Sequence, residues 1–189
     1  MELRTDAELV REAGRGSESA FSELVARHKE RAVKMACVMA GNFEDAKDIS
    51  QEAFVKAWRA LGRFRHQSKF STWFYRILMN TAKDFLRKRG LKNFLVWRRM
   101  ETMENFFENV RDRAALPGKG LQNEELGRAM GRAIQNLPEK QRWIFTLRFV
   151  EGLPLAEIAQ TAAVSEGTVK ASLHFAIQKF RREMKDHEF

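Results

Sequence analysis

Residues 155–180, LAEIAQTAAVSEGTVKASLHFAIQKF, carry two runs of helical periodicity separated by a turn too short for anything but a sharp corner. Gly152-Leu153-Pro154 stops whatever precedes them, and residues 155–161 make the first helix. Ala162-Ala163-Val164 is the turn, and Ser165 caps the second helix, its hydroxyl suited to an orphan amide of the first turn. Ile158, Ala159, Val164, Val169 and Leu173 fall on facing sides, so the two helices close on each other as a helix-turn-helix. The second helix then presents Glu166, Thr168, Lys170, Ala171, Ser172, His174 and Phe175 to a major groove, with Lys179, Arg181 and Arg182 further along for phosphates. A generic pair of packed helices has the same pattern, so this motif alone leaves DNA binding and plain packing both open.

Helical periodicity extends outward from this motif. Leu126, Met130, Ala133, Ile134 and Leu137 mark a helix from about Asn123, and Pro138 opens the next at a position where its missing N–H costs nothing. Near the N-terminus, Thr5-Asp6-Ala7-Glu8 is a capping box that starts a short helix ending near Ala13. Phe21, Leu24, Val25, Ala32, Met35, Ala36 and Met39 keep helical spacing up to Gly41. Asn42 caps a third helix buried through Ala46, Ile49, Ala53, Phe54, Ala57, Trp58 and Leu61, and Trp73, Phe74, Ile77, Leu78, Ala82, Phe85 and Leu86 trace a fourth that stops at Gly90. Between them and the second half the period is lost, and Leu116-Pro117-Gly118-Lys119-Gly120 breaks any helix. The expected architecture is all-α: a helical domain over 1–92, a linker over 93–122 with a short helix around 101–110, and a second helical domain over 123–189.

Charge says what such a molecule meets. The 189 residues carry a net charge of +9, and the window 62–100 holds eleven Lys or Arg against the single acid Asp84, a local +10 that leaves −1 for the rest. A basic block without interspersed acids is the footprint of a polyanion partner. Within it Phe64, Phe70, Trp73 and Phe74 interleave with Arg63, Arg65, Lys69 and Arg76, an arrangement suited to unstacked bases, each worth about 1–3 kcal/mol of stacking. Trp73 and Phe74 serve equally well as the start of a core stripe; Phe64 lies in a polar loop outside any stripe. Arg76, Asn80, Lys83, Asp84 and Arg87 share one face of the fourth helix. The third helix has the opposite character: Glu44, Asp45, Asp48, Gln51 and Glu52 form either a solvated face or a docking surface for a protein.

Other classes of protein fit poorly. Cys37 is the one cysteine and sits among apolar neighbours, which reads as a core residue. The four histidines have no metal-ligand spacing, and no phosphate loop or nucleophile–base set is present, so neither cofactor, metal nor enzymatic activity is expected. With no apolar run long enough to span a membrane and no signal-peptide core, a cytoplasmic protein is expected.

At this point two blocks resemble a known family. Residues 45–54 (DAKDISQEAF), Ala57-Trp58 and residues 70–77 (FSTWFYRI) with Asn80 are similar to region 2 of extracytoplasmic-function (ECF) RNA polymerase sigma factors. Leu137-Pro138-Glu139-Lys140-Gln141-Arg142, residues 155–159 and Gly167-Thr168-Val169-Lys170 are similar to their region 4. The resemblance implies a transcription initiation factor whose partners are core RNA polymerase, promoter DNA and an anti-sigma factor. It implies that Asp45, Asp48, Gln51, Glu52 and Trp58 bind the clamp helices of the largest polymerase subunit. Arg63, Phe64, Arg65, Lys69, Phe70, Trp73, Arg76, Asn80, Lys83 and Arg87 would recognise and melt the −10 element, Phe64 walling a flipped base. Ser165, Glu166, Thr168, Lys170, Ala171, Ser172, His174, Phe175 and Lys179 would read the −35 element, and the linker would thread toward the RNA exit path. Ala171, Ser172 and His174 stand where relatives often carry arginine or bulk, which implies a modest −35 affinity; no appended sensory domain is expected. Two other readings stay open on the residues themselves: a free-standing helix-turn-helix regulator that binds duplex operators without polymerase, and a basic protein that binds nucleic acid regardless of sequence.

Overall fold

The computed structural model describes residues 4–93 and 120–185, and among these every regular element is helical. The first half comprises α1 (Asp6–Ala13), α2 (Glu18–Ala40), α3 (Phe43–Ala60), a single 3-10 turn (Leu61–Arg63) and α4 (Phe70–Asn93). The second comprises α5 (Gly120–Gln135), α6 (Glu139–Phe149), α7 (Leu155–Ala162) and α8 (Glu166–Glu183). Two ends differ from the sequence pattern: α4 begins at Phe70 and runs through Gly90 to Asn93, and α5 already starts at Gly120. A helix interior tolerates glycine at a cost of about 1 kcal/mol, so one Gly inside a long helix is a weak stop. The helix expected around 101–110 lies outside the described residues.

The caps explain where the elements start. Thr5 Oγ1 accepts from the Glu8 amide while the Glu8 carboxylate accepts from the Thr5 amide at 2.7 Å, closing the capping box of α1. These hydrogen bonds to Thr5 hold the Glu8 carboxyl below its usual range. Ser17, Asn42 and Ser165 cap α2, α3 and α8 through their side-chain oxygens. α2 ends on Gly41 in the left-handed region, φ 77°. α1 is strapped to α2 by a polar cluster: Arg27 donates to Asp6 at 2.9 Å, His28 Nε2 meets Asp6 at 2.7 Å, and Arg4 pairs with Glu12 and Glu23. Burial works against the Asp6 carboxylate, but its hydrogen bonds with Arg27 and His28 outweigh that and lower its pKa.

The two halves are packed together. One apolar core runs from Leu9, Leu24, Met35, Ile49, Phe74 and Leu78 in the first half to Trp143, Ile144, Leu147, Ile158, Val169 and Leu173 in the second. Val38, from the last turn of α2, is fully buried in a cluster otherwise made by Ile134, Leu137, Phe145 and Ala176 of the second half. Arg142 seals this junction. Its guanidinium donates to Gln135 O at 2.7 Å, Leu137 O at 3.1 Å, Met39 O at 3.4 Å and the Gln135 side chain at 2.9 Å, and Gln135 Nε2 donates to Val38 O at 2.8 Å. Carbonyls at the C-termini of α2 and α5 have no partner within their own helices, and a cation between two such ends also suits both helix dipoles. Burial lowers the Arg142 pKa from its ordinary value. Cys37 is buried nearby in the first-half core, and burial pushes its thiol up to about 11, so it behaves as packing rather than as a nucleophile.

Candidate nucleic-acid interface

The basic segment forms the loop before α4 and the outer side of α4 itself. Arg63 and Arg65 are exposed, and Phe64 is half-buried, its ring 4.9 Å from those of Trp73 and His66. His66 holds a left-handed backbone, φ 55°, uncommon for a non-glycine residue and often a mark of loops that position a ligand. Asn80 and Arg87 are exposed and Lys83 half-exposed along one line of α4, with Arg87 donating to Asp84 at 2.9 Å. Asn80, Lys83 and Arg87 therefore form a polar, cationic track along α4, and Phe64 packs on Trp73 at the start of the same helix.

Phe70 departs from the sequence reading. It is 5% exposed, stacked 5.8 Å from Phe74 and tilted against the His28 ring at 5.1 Å, so it packs the core and presents no face to a base. Trp73 is wedged half-buried between Phe64 and Phe70. Lys69 and Arg76 are exposed cations, but both are engaged: Lys69 donates to Glu157 at 2.6 Å, and Arg76 donates to the Gln160 carbonyl at the end of α7. Thr72 donates to the same Glu157 at 3.3 Å, and the buried Tyr75 hydroxyl donates to Glu151 at 2.7 Å. Burial first, then the nearby Glu151 carboxylate, pushes the Tyr75 pKa up and keeps it a proton donor.

The acidic face of α3 splits. Asp48, Gln51 and Glu52 are exposed, Glu52 pairing with Lys56 at 2.9 Å. Asp45 turns inward: it is 8% exposed, takes a hydrogen bond from Asn42 Nδ2 at 2.7 Å, and pairs with Arg89 of α4. Its position in the first turn of α3, three residues after the Asn42 cap, draws it into the cap, so it ties α3 to α4 instead of facing outward. Trp58 is half-buried with its ring 4.9 Å from Phe21.

On α8, Glu166, Lys170, Ala171, His174 and Phe175 are exposed, Phe175 by 58%. Ser165 and Thr168 serve the cap: Ser165 Oγ accepts from the Thr168 amide at 3.2 Å and lies 3.0 Å from its hydroxyl. Ser172 is half-buried, and Lys179 donates to Asn136 O at 2.6 Å, tying α8 to the end of α5. Gln178, not singled out from the sequence, is exposed and lies 3.0 Å from His174, which extends the polar edge of the helix by one turn. Glu151 was also silent in the sequence, and Glu157 and Arg142 entered it only within the region 4 motifs, with no role of their own. Their side chains look like ordinary helix-surface charges until the two halves are brought together.

These elements define a class: a two-part helical protein with a basic loop and helix in one half and a helix-turn-helix in the other. Comparison with known proteins agrees. The family model described as Sigma-70 region 2 matches residues 24–91, and that described as Sigma-70, region 4 matches residues 127–180. The ECF RNA polymerase sigma-E factor of Escherichia coli K12 is 36% identical over 179 residues, covering 91% of this chain and 90% of its own. The RNA polymerase sigma-H factor of Pseudomonas aeruginosa is 36% identical over 171 residues, 89% of this chain and 88% of its own. SigW of Bacillus subtilis is 30% identical over 179 residues, 94% and 95% respectively. Among solved structures, CnrH in complex with the cytosolic domain of CnrY matches with a TM-score of 0.69 at 24% identity, covering 97% of this chain and 99% of its own. RpoE of Bartonella quintana, solved with the anti-sigma factor NepR, matches with a TM-score of 0.64 at 20% identity, covering 87% and 96%. At those identities the structures speak for the fold alone. The chain belongs to the extracytoplasmic-function family of RNA polymerase sigma factors. It is a transcription initiation factor that binds core polymerase and promoter DNA. Among the described residues no helix is long and apolar enough to cross a membrane.

Proposed function

We propose that this sigma factor divides its work among three surfaces. The exposed side of α3, with Asp48, Gln51 and Glu52 and the free edge of Trp58, docks on the polymerase clamp. The loop from Arg63 to Lys69 and the Asn80, Lys83 and Arg87 line of α4 capture and hold the opened −10 strand, with Phe64 and Trp73 offering the stacking faces. Glu166, Lys170, Ala171, His174 and Phe175 of α8 enter the −35 major groove. The units that do this are 1–92 and 123–189, joined by 93–122. The factor works in the cytoplasm, does no chemistry of its own and needs no cofactor. An anti-sigma factor, the kind of partner seen with Bartonella RpoE, holds it in reserve.

The observation that carries this reading is charge segregation by element. α3 exposes Glu44, Asp48 and Glu52 interspersed with Lys47 and Arg59, Glu44 pairing with Lys47 and Glu52 with Lys56, while α4 and its loop expose Arg63, Arg65, Arg87, Lys88 and Arg89 with Asp84 as their acid. A cationic surface with so few acids suits phosphates, and a helix whose exposed charges alternate in sign does not. The test is transcription in vitro with purified factor, cognate core polymerase and genomic fragments that include the factor's own upstream region. Start sites should appear only with both proteins, and Asn80→Ala or Lys83→Ala should abolish permanganate reactivity of the opened strand while leaving polymerase binding intact. A footprint on duplex DNA without polymerase, and no new start sites, would instead favour the free-standing regulator.

A further inference from the structure

Five aromatic rings of the first half stand in an unbroken row. The His28 ring lies 5.1 Å from Phe70, Phe70 5.9 Å from Trp73, Trp73 4.9 Å from Phe64, and Phe64 4.9 Å from His66. Each pair is tilted, at a separation within the range such pairs favour. Exposure climbs along the row: His28 and Phe70 are buried, Trp73 and Phe64 half-buried, and His66 lies open at its left-handed corner. The row therefore starts in the core beside α1 and ends in the loop assigned to the −10 strand. Its inner end is anchored by charge. His28 Nε2 meets Asp6 Oδ2 at 2.7 Å, and Arg27 holds the other Asp6 oxygen at 2.9 Å.

His28 Nδ1 is buried with no hydrogen-bond partner. A phenylalanine would fill the same space without an orphan polar atom, so packing alone does not call for histidine. What histidine adds is one directional bond at the ring edge. That bond fixes the plane against which Phe70 tilts, whereas a ring held by contacts alone keeps the two broad wells of its last torsion. Close-packed interiors transmit such a constraint from one ring to the next. α1 also abuts the entry to the loop: the Gly14 carbonyl lies 3.9 Å from where a Cβ of Gly62 would stand, one residue before Arg63. An unstacked base needs the face of Phe64 held at a fixed angle, because bases stack on a ring's face. Resting on the assignment of the Phe64 loop to the −10 strand, we propose that α1 braces that loop through the ring row. Asp6 and His28 are then positioning residues for strand capture, although neither touches DNA.

The test uses the full chain bound to cognate core polymerase, on a promoter found by transcription in vitro. His28→Phe keeps the ring and removes the bond to Asp6; His28→Gln keeps an N–H and removes the ring. His28→Phe also removes the orphan nitrogen, so it disturbs folding least and serves alone if the other variant fails to fold. Each should lower opening of the −10 element, read by permanganate, about fivefold while polymerase affinity stays at the parent value. In a Phe64→Ala background the same changes should have no further effect, because the ring through which they act is gone. An equal loss in both backgrounds is what general destabilisation gives, and it overturns the proposal. Parent-like opening in His28→Phe overturns it too, since the row would then serve without its anchor. Fluorine NMR of the chain labelled with 5-fluorotryptophan reads the row directly. The Trp73 line, assigned from Trp73→Phe, should move in the His28 variants while that of Trp143 in the second half stays; an unmoved Trp73 line overturns the row as the route. Normal opening by Phe64→Ala alone is a different failure: it removes the loop from the −10 site, and with it the reading on which the brace rests.

Discussion

At the residue scale, side-chain identity and backbone geometry pull in different directions in the helix-turn-helix corner. Ala163, in the helix-turn-helix corner, sits at φ 54°, where a Cβ costs about 1–2 kcal/mol. Ala163→Gly should therefore raise stability by about 0.5–1 kcal/mol, after subtracting glycine's greater freedom in the unfolded chain. The reverse change at Gly41, φ 77°, should cost about 1–2 kcal/mol from the backbone alone. A methyl group there would meet Gln135 at an ordinary 3.7 Å. Urea midpoints with unchanged slopes would measure both; a stabilised Gly41→Ala or a destabilised Ala163→Gly would mean that the turns are not held as described. Phe70 separates packing from base capture. Phe70→Leu keeps most of the volume and should cost less than about 1.5 kcal/mol while promoter opening survives, whereas Phe70→Ala should cost about 3–5 kcal/mol. A folded Phe70→Leu that binds polymerase but cannot open a promoter would return Phe70 to the DNA site.

At the element scale, α1 is the helix most dependent on charge. It has eight residues, too few to be helical alone, and beyond Leu9, Val10 and Ala13 it is held by the Asp6–Arg27–His28 cluster and its capping box. Both carboxyls involved, Asp6 and Glu8, have folded-state pKa values below their unfolded ones. A lowered carboxyl pKa contributes stability that is complete above the unfolded value and is lost as pH falls through the folded one. Below about pH 4, α1 amides should therefore exchange faster before those of α2 do, measured by NMR. Asp6→Asn should show looser α1 already at neutral pH and a flatter response to acid. Equal protection of α1 and α2 down to global unfolding would show that the apolar contacts suffice.

At the scale of the whole molecule, Arg142 is the residue on which three helix ends converge. Arg142→Met keeps the side chain's length but leaves carbonyls of α2 and α5 facing one another without a donor, and should cost about 2–4 kcal/mol. A loss under about 0.5 kcal/mol in urea unfolding would show that water replaces the guanidinium there. The residue also explains why the halves meet where they do: the C-terminus of α2 brings both an apolar plug, Val38, and unpaired carbonyls to the same spot.

The sequence by itself determined the helices, their caps and the class of partner. Periodicity, N-caps such as Thr5, Asn42 and Ser165, and the charge block of 62–100 are local properties, written within a few residues of where they act. The helix-turn-helix and the cationic line of α4 were legible for the same reason. Only the tertiary structure decided which of those residues remain available. Phe70 and Asp45 fit the pattern of a site, yet one fills a core and the other closes a cap, because helical spacing gives a side chain's direction but not what stands opposite it. Glu151, Glu157 and Arg142 gained their roles from partners 76 to 103 residues away in the chain. No local pattern marks such a pairing, since its energy comes from desolvation and orphan carbonyls that exist only once the two halves have met.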